Sequence, residues 1–171
     1  MSDRANSFFR YLAYTIELIL MFALTTTPGL MPDILGAKPA LLVGAALTIA
    51  VHEREIPAMI FGMAAGILTD IGYTDSIGIF TISLTVICFI VGYAANNLIV
   101  ATFLNYLLYA AVAVGGLFML YFLIRFILAG VDDPWLYFRA HIISRMVQTY
   151  LFSIPLYLIN KFIHKSLSPE V

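Results

Sequence analysis

A chain of 171 residues that is 62% hydrophobic and only 11% charged, with a mean hydropathy of +0.97, is not an ordinary soluble domain, in which about a quarter of residues are charged. The net charge of −1 provides no basic field for nucleic acid, and the sequence shows no polybasic run of the kind that marks recognition of anionic lipid. The length accommodates one membrane domain over residues 1–171 and leaves no room for a separate soluble one.

In chain order, the polar segment Met1 to Arg10 leads into a first apolar stretch that carries Glu17 and lacks a small-residue cleavage site before Pro28. It is expected to be a retained helix over 8–27, stopped by Pro28 and Gly29, rather than a removed signal peptide. Gly29 to Lys38 reads as a loop. A second helix is predicted over 39–51 with Pro39 in its first turn, ended by His52-Glu53-Arg54-Glu55. A third is predicted over 56–69. Its uncharged run of 14 residues spans only about 21 Å as a helix, less than the ~30 Å hydrocarbon core. Helices two and three therefore include polar ends, thin the bilayer locally or form a hairpin that does not fully cross, and full crossings are the expectation.

From Ser76 to Ile124 there is no Asp, Glu, Lys, Arg or His over 49 residues, enough for two crossings at about 20 residues each. They are predicted as helices over 79–95 and 99–128, with a tight turn at Asn96-Asn97, a kink at Gly115-Gly116 and a tilt that accommodates the long fifth helix. Trp135 and Tyr137 suit a headgroup interface. A sixth helix is predicted over 142–162, bent at Pro155. With the N-terminus inside, the inner side holds Arg4, Arg10, Arg54, Lys161 and Lys165, and the outer side Lys38, Arg125, Arg139 and Arg145. Arg125 and Arg145 lie in apolar stretches, where pairing with Asp132 or Asp133 or snorkelling to the interface accommodates them. Setting those two aside, the positive-inside rule puts both termini in the cytoplasm.

Gly62, Gly66 and Asp70 recur every four residues and share one helix face, which allows close backbone approach and ends in a carboxylate. Internal packing and partner contact are both open for that face. Glu17 in mid-helix costs at least ~2.5 kcal/mol if ionised in lipid, so it is expected to face the bundle interior, with Tyr14 as a neighbour. Asn105 is a candidate for an interhelical bond or a cavity lining. Cys88, the single cysteine, is expected to be a packed core thiol. His52, His141 and His164 have no metal-ligand spacing, and no nucleophile elbow, phosphate loop or haem motif occurs. No enzymatic activity, cofactor or metal is expected.

Pro39 before the charged turn at His52 to Glu55, followed by Gly62, Gly66, Asp70 and Gly78 in the order G-x3-G-x3-D-x7-G, resembles the bacterial rod shape-determining MreD family. The motif covers residues 39 to 78, while size and span number agree over essentially the whole chain. The resemblance implies an all-α inner-membrane protein with six transmembrane helices in a compact bundle, similar to the S components of energy-coupling transporters. It further implies a non-enzymatic scaffold of the cell-elongation machinery that binds the transmembrane helix of MreC, and through it connects to MreB, RodA and a penicillin-binding transpeptidase. The rival expectation is a vitamin-like solute-binding S component, with Glu17, Asn105 and Tyr106 lining a polar pocket.

Overall fold

In lipid, a helix satisfies its backbone donors and acceptors within itself, and the apolar runs fold accordingly. The computed structural model describes residues 3–27, 38–73, 78–97, 102–127, 135 and 138–167. Among the described residues there is no strand. The chain forms α1 (Asp3–Thr26), α2 (Leu41–His52), α3 (Glu55–Tyr73), α4 (Ile79–Asn97), α5 (Phe103–Phe122) and α6 (Ile143–Leu167), with single π-helical turns at Leu123–Ile127 and Phe138–Ile142.

Among the described residues, four segments are long and apolar enough to cross a membrane: Asn6–Thr26, Glu55–Gly72, Ile79–Asn97 and Phe103–Arg125. Their outward faces carry large apolar side chains, among them Ile16, Ile60, Phe89 and Val112, as lipid contact requires. α6 has 25 residues but is less apolar, because Arg145, Gln148, Asn160 and Lys161 lie along it.

α2 has only 12 residues, and every one from Leu41 to Val51 is buried. A helix that is apolar all round belongs in the interior of a bundle, and α2 packs against α1, α3, α4, α5 and α6. Its shortness is therefore no mismatch with lipid, since protein surrounds it. Pro39 stands just before the helix rather than in its first turn. The neighbouring Ala40 N–H donates to Thr149 Oγ1 of α6 at 3.0 Å, so a side chain from another helix anchors the start of α2.

α3 is longer than its uncharged run indicates. It opens at Glu55 and continues past Asp70 to Tyr73, giving 19 residues or about 28 Å. α4 stays helical through Asn96 and Asn97, whose side-chain amides donate to the carbonyls of Gly92 at 2.7 Å and Tyr93 at 3.0 Å. α5 runs unbroken through Gly115-Gly116, and its hydrogen-bond register changes only at Leu123. The loop expected from Gly29 to Lys38 lies outside the described residues up to 37, and of the loop expected from Asp70 to Gly78 the first four residues are the end of α3 while 74–77 lie outside the described residues, as do Asp132, Asp133 and Tyr137.

Consecutive helices alternate in direction. One end of the bundle gathers Arg10 of α1, Glu53 between α2 and α3, Asn96 of α4 and His164 of α6. The opposite end holds Asp70 with Gly78, Phe80 and Thr81.

Candidate functional site

The face of α3 carrying Gly62 and Gly66 is covered by α4. A Cβ on Gly62 would lie 2.7 Å from Cys88 Cβ and 2.8 Å from the Leu84 carbonyl oxygen, and one on Gly66 would lie 2.5 Å from Thr81 Cα. The two backbones meet where only hydrogen fits between them. Cys88 is fully buried in this contact.

Asp70 closes the same hairpin. Its Oδ2 accepts from the Gly78 N–H at 3.0 Å, the Thr81 N–H at 2.9 Å and the Thr81 hydroxyl at 2.6 Å, while Oδ1 accepts from the Phe80 N–H at 3.1 Å. The carboxylate thus satisfies the free amides at the start of α4 and faces the positive end of its dipole. Gly78 has φ +104°, which L side chains rarely adopt and glycine tolerates. Gly62, Gly66, Asp70 and Gly78 therefore sit together in a single α3–α4 hairpin.

Glu17 lies on a different set of helices. It is 8% exposed, and its Oε1 accepts from Asn160 Nδ2 of α6 at 3.0 Å. The same amide donates to Thr48 Oγ1 of α2 at 2.7 Å, and the Thr48 hydroxyl donates to the Ala45 carbonyl at 2.7 Å. This polar chain joins α1, α2 and α6 inside the bundle. Tyr14, the expected neighbour, stands three residues earlier on α1 and packs edge-on against Phe61.

The remaining expected residues are scattered. Asn105 is half-buried in the first turn of α5, and Arg125 is exposed in the π-helical turn after it. Arg145 is partly buried, with its guanidinium 5.9 Å from the Phe118 ring centroid. Tyr106, named with Glu17 for a solute pocket, donates its hydroxyl to the Ser153 carbonyl at 3.1 Å and stacks on Tyr157 at 4.4 Å.

Sequence reasoning passed over Glu53 as part of a charged turn. It is 3% exposed. Arg10 Nε lies 2.6 Å from its Oε1 and Arg10 Nη2 donates to Oε2 at 3.2 Å, while Asn96 Nδ2 donates to its carbonyl at 2.9 Å. One residue thus ties α1 and α4 to the α2–α3 junction. The available signal was an acidic residue two positions after the uninterrupted apolar stretch that ends at Val51.

An open surface remains between α4 and α5, which pack loosely where α3 and α4 pack tightly. A groove of about 390 Å³ runs there, lined by Val91 and Ala94 of α4 and by Tyr109, Ala113 and Gly116 of α5, among others. A Cβ on Gly116 would meet nothing within 4 Å. The buried hydroxyl of Tyr109 has no hydrogen-bond partner among the described residues. Chemically, the groove offers apolar contact and close approach over small residues.

A family model described as rod shape-determining protein MreD matches residues 5–166. No curated protein and no solved structure matches the chain.

Proposed function

The chain belongs to the MreD family of rod shape-determining proteins, and from that premise we propose that it is a six-pass, non-enzymatic scaffold of the bacterial inner membrane, with both termini cytoplasmic. In this reading it holds the transmembrane helix of MreC, and through MreC it helps link MreB filaments to peptidoglycan synthesis by RodA and its transpeptidase.

The observation that carries the reading is the α4–α5 groove. Helices in lipid associate through close packing over small residues and a few polar contacts, since no hydrophobic force drives them together. Gly62 and Gly66 already use such a face to join α3 to α4, and their role is internal: with Asp70 and Gly78 they fix the hairpin whose second helix forms one wall of the groove. Gly116, Ala113 and Ala94 supply the small-residue surface of the groove.

The test is Gly116→Leu, a substitution into open space that leaves the bundle intact. Co-purification of MreC in mild detergent should fall by about tenfold, as loss of ~1.4 kcal/mol implies, with an unchanged melting temperature and rounder, wider cells. Undiminished capture of MreC by that variant would refute the groove as the contact.

The solute-binding alternative has less support, because Glu17 and Tyr106 are engaged by Asn160 and Ser153 of α6.

A further inference from the structure

α2, α4 and α6 leave a second cleft at the end of the bundle where Glu53 lies. Its volume is about 410 Å³, within the ~300–1,000 Å³ of small-ligand sites, and Val51, His52, Asn96, Tyr157, Lys161 and Lys165 are in its lining. Unlike the α4–α5 groove, it is polar and cationic. We infer that this cleft binds the phosphodiester headgroup of an anionic phospholipid from the adjoining leaflet.

The basic groups come from consecutive turns of α6. Lys161, His164 and Lys165 stand at i, i+3 and i+4 and so share one face. Glu53, the nearby carboxylate, is engaged by Arg10 at 2.6 Å and 3.2 Å and lies 3.6 Å from His164 Nδ1, so the uncompensated charge of the cleft comes from the two lysines. Lys161 and Lys165 are exposed and form no ion pair among the described residues. The Lys161 ammonium lies 5.9 Å from the Tyr157 ring centroid, which places it at the cleft wall.

Tyr157 is a second, independent pointer. It is fully buried, held by stacking on Tyr106 at 4.4 Å and by the His52 ring at 5.0 Å. Its hydroxyl nonetheless has no hydrogen-bond partner among the described residues. A buried hydroxyl without a partner costs free energy, and a phosphate oxygen in the cleft would accept from it.

A headgroup fits this position better than a protein's acidic side chain. The cleft opens where α2 and α4 end; on the proposed reading, in which α4 crosses the membrane, that end stands at the level of lipid phosphates, and basic pockets between helices there suit anionic headgroups. Val51 and Ala95 continue its wall toward the apolar part of the bundle, as an attached glyceride requires.

The experiment is native mass spectrometry of the full chain in mild detergent, titrated in parallel with phosphatidylglycerol, phosphatidylcholine and soluble glycerol phosphate. Phosphatidylglycerol should bind at least about tenfold more tightly than phosphatidylcholine, and Lys161→Gln/Lys165→Gln should abolish that preference. Tyr157→Phe should weaken phosphatidylglycerol about fivefold while retaining a preference from the lysines. Arg139→Gln, at the opposite end, should change nothing. Equal binding of the two lipids, or a preference untouched by the lysine substitutions, overturns the assignment and leaves the cleft to an acidic protein segment. Glycerol phosphate binding as tightly as phosphatidylglycerol overturns the lipid as its source. Melting temperatures of the variants without added lipid, unchanged from the parent, separate loss of binding from loss of fold.

Discussion

Thr81 donates both its backbone N–H and its hydroxyl to a single oxygen of Asp70, at 2.9 Å and 2.6 Å. The last turns of α3 thereby supply the cap for α4. Replacing Asp70 with Ala leaves the amides of Gly78, Phe80 and Thr81 without their acceptor at a point only 3% exposed. The expected cost is about 3 kcal/mol, given ~1–3 kcal/mol per orphaned buried group and partial rescue by water. Equilibrium unfolding in detergent measures it, and Thr81→Val should cost clearly less because it removes one donor and leaves the backbone bonds.

Gly66→Leu tests the fold rather than partner binding. A side chain at that position meets the α4 backbone at 2.5 Å, which cannot rotate away, so a loss of about 3 kcal/mol or more is expected. Gly116→Leu, into open space, should leave the unfolding midpoint within about 0.5 kcal/mol of the parent.

Cys88 reports on the same contact without added labels. As the single cysteine of the chain, fully buried against Gly62, it should react with maleimide about 100-fold more slowly than in the unfolded chain, since only opening of the helix pair exposes it. The Gly66→Leu variant should lose most of that protection.

Arg10 and Glu53 should behave as one unit. Removing either takes from the other its nearest opposite charge in a largely buried place, and each of Arg10→Ala and Glu53→Ala should cost about 3 kcal/mol. The double substitution should cost less than the sum, and a double-mutant cycle by thermal unfolding gives the coupling.

Asn160→Leu should destabilise by about 2 kcal/mol, because Glu17 and Thr48 both lose their buried donor. Combining it with Glu17→Leu should recover part of that loss. Additive losses in the same unfolding assay would mean that the two side chains do not share a bond.

Much of the fold was legible in the sequence where charge is absent, since the 49-residue run from Ser76 to Ile124 leaves little alternative to helices in lipid. The α3–α4 hairpin was legible from spacing, because glycines and a carboxylate every four residues fall on one helix face. What stayed hidden depends on partners distant in the chain. Glu53 reads as part of a solvated turn until Arg10 lies against it, and Asn160 reads as one polar residue in a helix until Glu17, 143 positions earlier, comes within reach. The extension of α3 past Asp70 was hidden for the same reason: a charge ordinarily ends an apolar span, and the amides of α4 remove that penalty. The basic face of α6 escaped notice because Phe162 and Ile163 separate Lys161 from His164 and Lys165 in sequence, and the three share a face only when coiled.

The burial of α2 from Leu41 to Val51 also bears on how the protein is made. α2 leaves the ribosome early, yet three of its contacts come from α6: Thr149 at Ala40, Ser153 beside Gly44 and Asn160 at Thr48. These form only after α6 has been synthesised, so until then the innermost helix waits in the bilayer with one flank unfinished. Ribosome-stalled chains lacking α6 should accordingly be the form that membrane proteases and insertases recognise, and release of the last helix the step that commits the bundle.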